Sequence, residues 1–389
     1  MIAAMEQNAP LPPKDPKPMI GVVGLGTMGL GIVQVFLMAG FRVVATDAYA
    51  PVLTTAPLRL AQTLDQRIHA GKLTVEARNA ALRRLRLVTQ IDGFARASLV
   101  IEAIAEDLTA KRALLADIEA VVSKDAILAT NTSSLSVAAV AQGLARPKCV
   151  LGLHFFNPAP AMKLVELVGH AQTSAAALRR VRDLAEAAGK TVISAPDRPG
   201  FIVNRCARPY YGEALALLED GIPVGQIDAA MLAHGYKIGP FGLIDLIGAD
   251  INLAATEGLS AAMDGHPRYH VFDALRAQVA SGNLGRKTGR GFIYPSVAEA
   301  APANADEIAL RIEAVLINEA AALLAEGGTT RDAIDTAMTL GMNFPRGPFA
   351  ALRMHGARRI LGVLAGLAAR APLHLRGRYD PAAALTETA

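Results

Sequence analysis

Tryptophan is absent from this chain of 389 residues, and cysteine occurs only twice, at Cys149 and Cys206. Two cysteines cannot supply a disulfide framework, and they do not form a metal-binding cluster with histidine. We therefore expect no metal site and interpret both cysteines as small buried apolar side chains. Such low cysteine usage is typical of a reducing compartment, so we expect the protein in the cytoplasm.

Long apolar runs are also missing. Every hydrophobic segment is interrupted by glycine, proline or charge before the roughly 18 residues that a membrane-spanning helix needs. The formal net charge of +4 is small and dispersed, and aromatic residues make up only 5% of the chain. These features exclude a membrane protein and a nucleic-acid-binding protein. Residues 1–18 contain five prolines and no apolar core behind a cationic flank, so they predict a flexible tail and no targeting signal.

From Met19 onward, short apolar runs alternate with amphipathic helical stretches. MIGVVG (19–24), GLGIVQVFLMAG (29–40) and FRVVATD (41–47) form a strand, helix, strand unit that begins a parallel doubly wound sheet. Residues 52–86 are predicted as two helices. Later strands are predicted at 97–104, 126–130, 149–156, 163–168 and 191–196. The fold class is therefore α/β, with a Rossmann-type domain over residues 19–196.

After DRPG (197–200) the sequence becomes almost wholly helical, and we place a domain boundary there. This second half contains an internal repeat, because the pattern at 212–242 recurs at 318–350. The shared frame pairs Glu213 with Glu319, Gly221 with Gly327, Asp228 with Asp335, Met231 with Met338, and the tripeptide GPF at 239 with that at 347. The sequence predicts two tandem all-α domains, 197–298 and 299–389.

A glycine-rich hexapeptide, GLGTMG, lies directly between the first strand and the first helix. In that context the first glycine makes the turn, the second lets the backbone approach a pyrophosphate, and the third allows close helix–strand packing. Asp47 ends the next strand, where its carboxylate can accept both ribose hydroxyls and would repel a 2′-phosphate, so we predict NAD rather than NADP. One alternative is a tight structural turn in which Asp47 is only a solvated cap. A second is an FAD protein, but further FAD-binding segments are not evident. The predicted cofactor contacts here are Gly24, Gly26, Thr27, Met28, Gly29 and Asp47.

One histidine and one glutamate interrupt the apolar stretch GLHFFNPAPAMKLVELV (152–168). His154 and Glu166 are symmetric about Pro160, so two antiparallel strands joined at NPAPA would place them opposite each other on one face. The carboxylate would fix the imidazole tautomer and leave the other ring nitrogen for substrate. The alternative is a buried ion pair with a structural role only. Because strands of such a sheet deliver their C-terminal ends to the cofactor crevice, we favour the catalytic interpretation.

Two further segments are expected at the same crevice. TNTSSLSV follows a predicted strand and carries Asn131 and Ser133, and PGFIVNR can present Asn204 across the interdomain cleft. Helix capping is the alternative role for these polar side chains, and it suits Ser134 and Ser136 best.

Six ordered motifs resemble the 3-hydroxyacyl-CoA dehydrogenase family of fatty-acid β-oxidation: GLGTMG, IEAIAEDLTAKRALL, ATNTSSLSV, GLHFFNPAPAMKLVELV, DRPGFIVNR and GPFGLIDLIGAD. They fall within residues 19–295, and residues 312–389 resemble the extra helical domain of longer members. By this resemblance, His154 is the general base, Glu166 orients it, and Ser133 and Asn204 hydrogen-bond the substrate. The resemblance also implies that the NAD site is lined by Glu106, Lys111, Asn131 and Ser133. Where many relatives carry lysines for the CoA phosphates, this chain has Arg67, His69 and Lys72, which are equally consistent with a solvated face.

The predicted function is NAD-dependent, reversible oxidation of (S)-3-hydroxyacyl-CoA to 3-ketoacyl-CoA, with an acyl-CoA thioester as the partner. The alternatives are a β-hydroxyacid dehydrogenase that acts on a free acid and a catalytically idle NAD-binding structural protein. The acyl group stays open between hydroxybutyryl, longer acyl and hydroxyadipyl thioesters. Because the helical domain is duplicated, we expect a monomer whose two copies reproduce a dimer interface, or a homo-oligomer that uses other surfaces.

Overall fold

A mixed sheet occupies the first half of the chain and helices occupy the second. The computed structural model describes residues 17–297 and 299–386, so residues 1–16 of the predicted flexible tail lie outside the described part. The predicted fold class, a Rossmann-type sheet followed by helices, is confirmed.

Eight strands form the sheet. They are β1 (Met19–Val23), β2 (Arg42–Thr46), β3 (Leu85–Leu87), β4 (Leu99–Glu102), β5 (Ile127–Thr130), β6 (Val150–Phe155), β7 (Leu164–Gly169) and β8 (Thr191–Pro196). Their order is β3, β2, β1, β4, β5, β6, β7, β8, and all neighbours are parallel except the antiparallel pair β6 and β7. Because the chain order reverses at β1, a crevice opens beyond the carboxyl ends of β1 and β4.

The central strands are buried because helices cover both faces of the sheet. Every residue of β4 and β5 is buried, and their sequences, LVIE and ILAT, are apolar up to the last position. Polar side chains enter these two strands only at Glu102 and Thr130, which are their carboxyl ends. The sequence therefore places its buried polar groups beside the crevice.

Six α-helices accompany the strands in the described first half. They are α1 (Thr27–Met38), α2 (Ala50–His69), α3 (Val75–Leu82), α4 (Leu108–Val121), α5 (Val137–Ala141) and α6 (Ala175–Ala187). The sequence predicts only two helices over residues 52–86, and the structure adds β3, which pairs in parallel with β2. This short strand has only two alternating leucines around Arg86, a pattern too short to distinguish a strand from a helix end. Pairing with β2 decides its conformation.

Ten α-helices make up most of the second half of the described chain. They are α7 (Val203–Glu219), α8 (Val224–Ala233), α9 (Pro240–Ile247), α10 (Ala249–Ala262), α11 (Asp273–Ala280), α12 (Ala305–Ala325), α13 (Arg331–Gly341), α14 (Pro348–His355), α15 (Ala357–Arg370) and α16 (Ala383–Thr386). One hydrophobic core runs from β7 and β8 into these helices. At Gly341, a Cβ atom would lie 2.9 Å from Val203 of α7 and 3.0 Å from Leu164 of β7. The late helix α13 therefore packs directly against both the sheet and α7.

Among the described residues, no helix combines the length and the apolarity needed to cross a membrane.

Candidate active site

The glycine-rich turn between β1 and α1 has the geometry that close approach of a ligand requires. Gly24 adopts a φ of 90°, and a Cβ atom there would lie 2.7 Å from the carbonyl oxygen of Ala103. A Cβ atom on Gly29 would collide with the carbonyl oxygen of Gly24, so the third glycine allows the helix to pack on the turn. A Cβ atom on Gly26, by contrast, would meet nothing within 4 Å. This open space above a helix N-terminus suits a pyrophosphate.

Asp47 follows β2 and is tied to the same turn. Its Oδ2 accepts a hydrogen bond from the Leu25 amide at 2.7 Å, and its Oδ1 accepts one from the Tyr49 amide at 2.8 Å. The half-buried carboxylate keeps lone pairs for two ribose hydroxyls. Of the other predicted cofactor contacts, Thr27 is exposed and Met28 is half-buried at the start of α1.

His154 and Glu166 are directly opposed on β6 and β7, so the predicted antiparallel pairing is confirmed in register. Nδ1 of His154 lies 2.7 Å from Oε2 of Glu166. The glutamate is fully buried and the histidine is 6% exposed. Nε2 of His154 makes no hydrogen bond to any residue that the structure describes, so the second ring nitrogen is left for a ligand.

Glu166 has further partners that the sequence did not indicate. Its Oε1 accepts hydrogen bonds from the backbone amides of Ile202, at 3.1 Å, and Val203, at 2.9 Å, where α7 begins. A helix N-terminus favours a negative charge, and these donors compensate the burial of the carboxylate. Phe201, with a φ of 46°, and Gly200, with a φ of 73°, turn the chain so that both amides point at Glu166. A glycine-containing turn before a helix was the only sequence signal for this contact.

The segment after β5 carries two of the predicted residues, Asn131 and Ser133, and contacts a third, Asn204 of α7. Oδ1 of Asn131 accepts a hydrogen bond from the Phe155 amide at 2.9 Å, which ties the segment to the end of β6. Nδ2 of Asn204 donates to the carbonyl oxygen of Ser133 at 3.2 Å, across the two halves of the chain. The hydroxyl of Ser133 makes no hydrogen bond to a described residue. Ser136 caps α5, as predicted, by accepting from the Ala139 amide.

Glu106 is the acceptor that holds this segment. Its Oε1 accepts from the hydroxyl of Thr132 at 2.6 Å, from the Ser133 amide at 3.0 Å and from the hydroxyl of Ser134 at 2.9 Å. Ser134 therefore binds Glu106 and does not cap a helix. Burial raises the pKa of Glu106, but the hydrogen bond from Thr132, the charge of Lys111 and the serine donors outweigh it and hold the pKa below 4.5. Glu106 is thus an anion beside the crevice.

Lys111 lies beneath Glu106. Its Nζ is 3.0 Å from Oε2 of Glu102 and 3.3 Å from Oε2 of Glu106, and its side chain has no exposed surface. In this arrangement Lys111 supports Glu106 and does not itself line the crevice. The carboxylate of Glu102 also accepts a hydrogen bond from Thr130, so the polar ends of β4 and β5 form one network.

Two residues that sequence reasoning missed fix the surroundings of the site. Asp197 accepts hydrogen bonds from the amides of Val137 and Ala138, both at 2.8 Å, at the start of α5. Nζ of Lys190 donates to the carbonyl oxygens of Ala159 and Met162, which belong to the turn between β6 and β7. Burial lowers the pKa of Lys190 to about 8. Both residues act on backbone groups, which sequence spacing does not reveal.

The basic residues considered for CoA lie around the end of α2. His69 and Lys72 are exposed and Arg67 is half-buried. None of the three forms an ion pair with a described residue, so their surface is open to an anion or to water.

Two sequence profiles match almost the whole chain. The profile described as "3-hydroxyacyl-CoA dehydrogenase, NAD binding domain" matches residues 19–198. The profile described as "3-hydroxyacyl-CoA dehydrogenase, C-terminal domain" matches residues 200–294 and 308–388. The chain belongs to the 3-hydroxyacyl-CoA dehydrogenase family. The match to the NAD-binding domain of this family confirms the prediction of NAD as the cofactor.

Named relatives agree with this family. A 3-hydroxyadipyl-CoA dehydrogenase of Escherichia coli K12 is 42% identical over 274 residues, which cover 70% of this chain and 58% of the relative. A 3-hydroxybutyryl-CoA dehydrogenase of Mycobacterium tuberculosis H37Rv is 38% identical over 278 residues, which cover 70% of this chain and 96% of the relative. The chain thus spans just over half the length of the first relative and nearly all of the second.

Solved structures of this family share the fold. A crystal structure of an E. coli K12 3-hydroxybutyryl-CoA dehydrogenase is 32% identical, with a TM-score of 0.89 over 95% of this chain and 98% of that one. An (S)-3-hydroxybutyryl-CoA dehydrogenase from Ralstonia eutropha is 37% identical, with a TM-score of 0.69 over 73% of this chain and 99% of that one. The R. eutropha enzyme has no equivalent for about a quarter of this chain. The E. coli structure covers both the sheet half and the helical half.

Proposed function

We propose that the protein catalyses the NAD-dependent, reversible oxidation of (S)-3-hydroxyacyl-CoA to 3-ketoacyl-CoA. The observation that carries this proposal is the 2.7 Å contact between Nδ1 of His154 and Glu166, which leaves Nε2 without a protein partner in the described part of the chain. The names of the relatives support a CoA thioester as substrate. They do not support a free acid or a protein without activity.

His154 acts as the general base. Glu166 accepts the hydrogen on Nδ1, so the neutral ring carries its lone pair on Nε2, where it can take the proton of the 3-hydroxyl group. Bound NAD supplies the acceptor for the hydride that leaves C3. In the reverse direction the imidazolium returns its proton to the oxygen.

Ser133 and Asn204 position the substrate. The Asn204 side chain donates to the carbonyl oxygen of Ser133, so the two residues meet where the two halves of the chain are in contact. We assign them to the substrate oxygen and the thioester carbonyl, so that binding orients C3 before the chemical step. For the cofactor, we assign the turn at Gly24, Gly26 and Gly29 to the pyrophosphate and Asp47 to the ribose, and we place Glu106 and Asn131 at the edge of its site.

The two helical copies also support a proposal about assembly. Buried Arg205 pairs with Glu319 and with Glu326, both at 2.6 Å. In the other direction Arg311 pairs with Glu213 at 2.7 Å and with Asp220 at 2.6 Å. Since the repeat aligns Glu213 with Glu319, each copy makes the same contacts with the other, as in an isologous dimer interface. We propose that the protein is a monomer with this interface built into one chain. Its two cysteines, neither in a disulfide, support the cytoplasm as its compartment.

His154→Ala tests the proposed function. We expect the variant to bind NADH normally and to lose roughly 10²- to 10⁴-fold in turnover of acetoacetyl-CoA, because the substitution removes the imidazole that transfers the proton. His374→Ala is the matched control, since His374 is an exposed histidine of the second half that pairs with Glu219. Turnover by His154→Ala equal to that of this control would remove His154 from the mechanism.

A further inference from the structure

Arg208 is a buried cation without an anion. It lies on α7, is 8% exposed and forms no ion pair with any described carboxylate. Its Nε donates to the carbonyl oxygen of Asn204 at 3.2 Å, and its Nη1 donates to Thr256 at 3.1 Å. Nη2 has no protein acceptor in the described chain. Burial lowers the pKa of Arg208, whereas Arg205 on the same helix has its pKa raised by Glu326 and Glu319 despite burial.

Asn252 adds a second unsatisfied group beside Arg208. The residue is 2% exposed, and both Nδ2 and Oδ1 of its side chain are buried without a hydrogen-bond partner. Its carbonyl oxygen lies 3.4 Å from Nη1 of Arg208 and accepts from the hydroxyl of Thr256 at 2.7 Å. Buried amide groups in folded proteins are almost always hydrogen-bonded, so this polar cluster lacks a partner that would satisfy Asn252.

The second helical copy shows that the fold does not require these polar residues. In the register that aligns Glu213 with Glu319, Arg208 corresponds to Ala314. In the register that aligns Gly248 with Gly356, Asn252 and Thr256 correspond to Ile360 and Leu364. Ala314, Ile360 and Leu364 are all fully buried and apolar. The corresponding helices of the second copy therefore pack with apolar residues at these positions.

The polar cluster lies close to the substrate residues. Arg208 follows Asn204 by four residues, about 6 Å along the axis, and lies on the same face of α7. Beside Asn252, Ile251 is 53% exposed, and Leu246 and Ile247 at the junction of α9 and α10 are also exposed. These exposed apolar side chains on α9 and α10 offer a surface that suits the methylene groups of an acyl chain.

We propose that Arg208, assisted by Asn252 and Thr256, binds a carboxylate at the far end of the acyl group. The preferred substrates are then 3-hydroxyacyl-CoA thioesters of dicarboxylic acids. A guanidinium group offers paired donors that match a carboxylate, and Nη2 of Arg208 together with Nδ2 of Asn252 supplies the free hydrogens. This inference rests on the proposed function, because it places the acyl group at the site of His154 and Asn204.

Two substrates of equal chain length test the inference. We expect the wild-type protein to show a kcat/KM for 3-hydroxyadipyl-CoA that is roughly 10- to 100-fold higher than for 3-hydroxyhexanoyl-CoA, the value of one or two charge-assisted hydrogen bonds. Arg208→Met should abolish this preference by lowering the adipyl value, while the hexanoyl value stays or rises. Asn252→Ile, which copies the second half, should reduce the preference without loss of stability.

Arg276→Met is the control, because Arg276 is an exposed arginine of the same half that pairs with Glu257. Equal kcat/KM for the two thioesters in the wild-type protein would overturn the inference even if Arg208→Met failed to fold. Activity on 3-hydroxyhexanoyl-CoA would then still uphold the proposed function. A preference for the adipyl thioester that survives Arg208→Met would also overturn the role of Arg208.

Discussion

The Glu166 carboxylate uses both of its oxygens. One holds Nδ1 of His154, and the other accepts two amides from the start of α7. The residue thus acts through the histidine and is a positioning residue in the proposed mechanism. A glutamine side chain at position 166 could still accept hydrogen bonds from the backbone amides of Ile202 and Val203. Its NH₂ group, however, would present a donor to the imidazole.

We expect Glu166→Gln to reduce kcat for acetoacetyl-CoA by roughly 10²- to 10⁴-fold with little change in NADH binding or in unfolding temperature. The physical reason is the tautomer, because a donor at Nδ1 drives the hydrogen to Nε2 and removes the lone pair that takes the proton. Normal kcat in a folded variant would show that the pair has only a structural role.

At the residue scale, the sequence could predict the opposed pair because its spacing around Pro160 fixes the register of a hairpin. The additional partners of Glu166 are backbone amides from a distant segment, and every residue type has such an amide. Lys111 shows a different limit. Motif resemblance placed it at the cofactor, but only the packing of α4 on β4 reveals that it is buried under Glu106.

At the element scale, the two GPF helices, α9 and α14, begin in the same way. Asp228 accepts from the amides of Phe241 and Gly242 at 2.9 and 2.7 Å, and Asp335 accepts from those of Phe349 and Ala350 at 2.7 and 3.0 Å. A Cβ atom at Gly239 would lie 2.6 Å from Cα of Asp228, so a larger residue there would disrupt the cap. The repeated Asp and Gly are therefore explained by one capping arrangement.

The stability contribution of Asp228 should depend on pH. Burial raises its pKa to about 6 from an ordinary value of 3.8, although the amides of Gly242 and Phe241 oppose this shift. Because the folded protein holds this proton more tightly than the unfolded chain, the contribution of Asp228 to the unfolding free energy is largest below about pH 4 and falls until about pH 6.

We therefore expect Asp228→Asn to lower the unfolding free energy by about 1 kcal/mol near pH 4 and by less above pH 7. Urea unfolding of wild type and variant at both values measures this, with Asp183→Asn on the exposed surface of α6 as control. A stability penalty of Asp228→Asn that grows with pH would contradict the raised pKa of Asp228.

At this scale the sequence predicts long periodic helices well. It misses β3, because three residues are too few to show a period.

At the scale of the whole molecule, the reciprocal arginine pairs join the helical copies. Arg205 and Arg311 each bind two carboxylates of the opposite copy, and Tyr269 and Tyr379 donate to Glu319 and Glu213 at 2.6 and 3.0 Å. The sequence predicts the duplication through its repeat. It could not predict these contacts, because they join helices that are far apart along the chain.

Light scattering should give the mass of one chain, 40.7 kDa, for the wild-type protein. Arg311→Met should lower the unfolding free energy by roughly 3 kcal/mol, because it removes a cation that pairs with the fully buried Glu213, and should leave the mass unchanged. Arg276→Met, which breaks an exposed pair, should cost less than about 1 kcal/mol. A wild-type dimer that dissociates on Arg311→Met would instead place this interface between two molecules.

Because Gly341 packs against Val203 and Leu164, helix α13 covers part of the sheet and the start of α7. A separate subunit at that position would dissociate on dilution, whereas a covalently attached copy keeps a constant effective concentration. Specific activity per mole of chain should consequently be the same at nanomolar and micromolar enzyme.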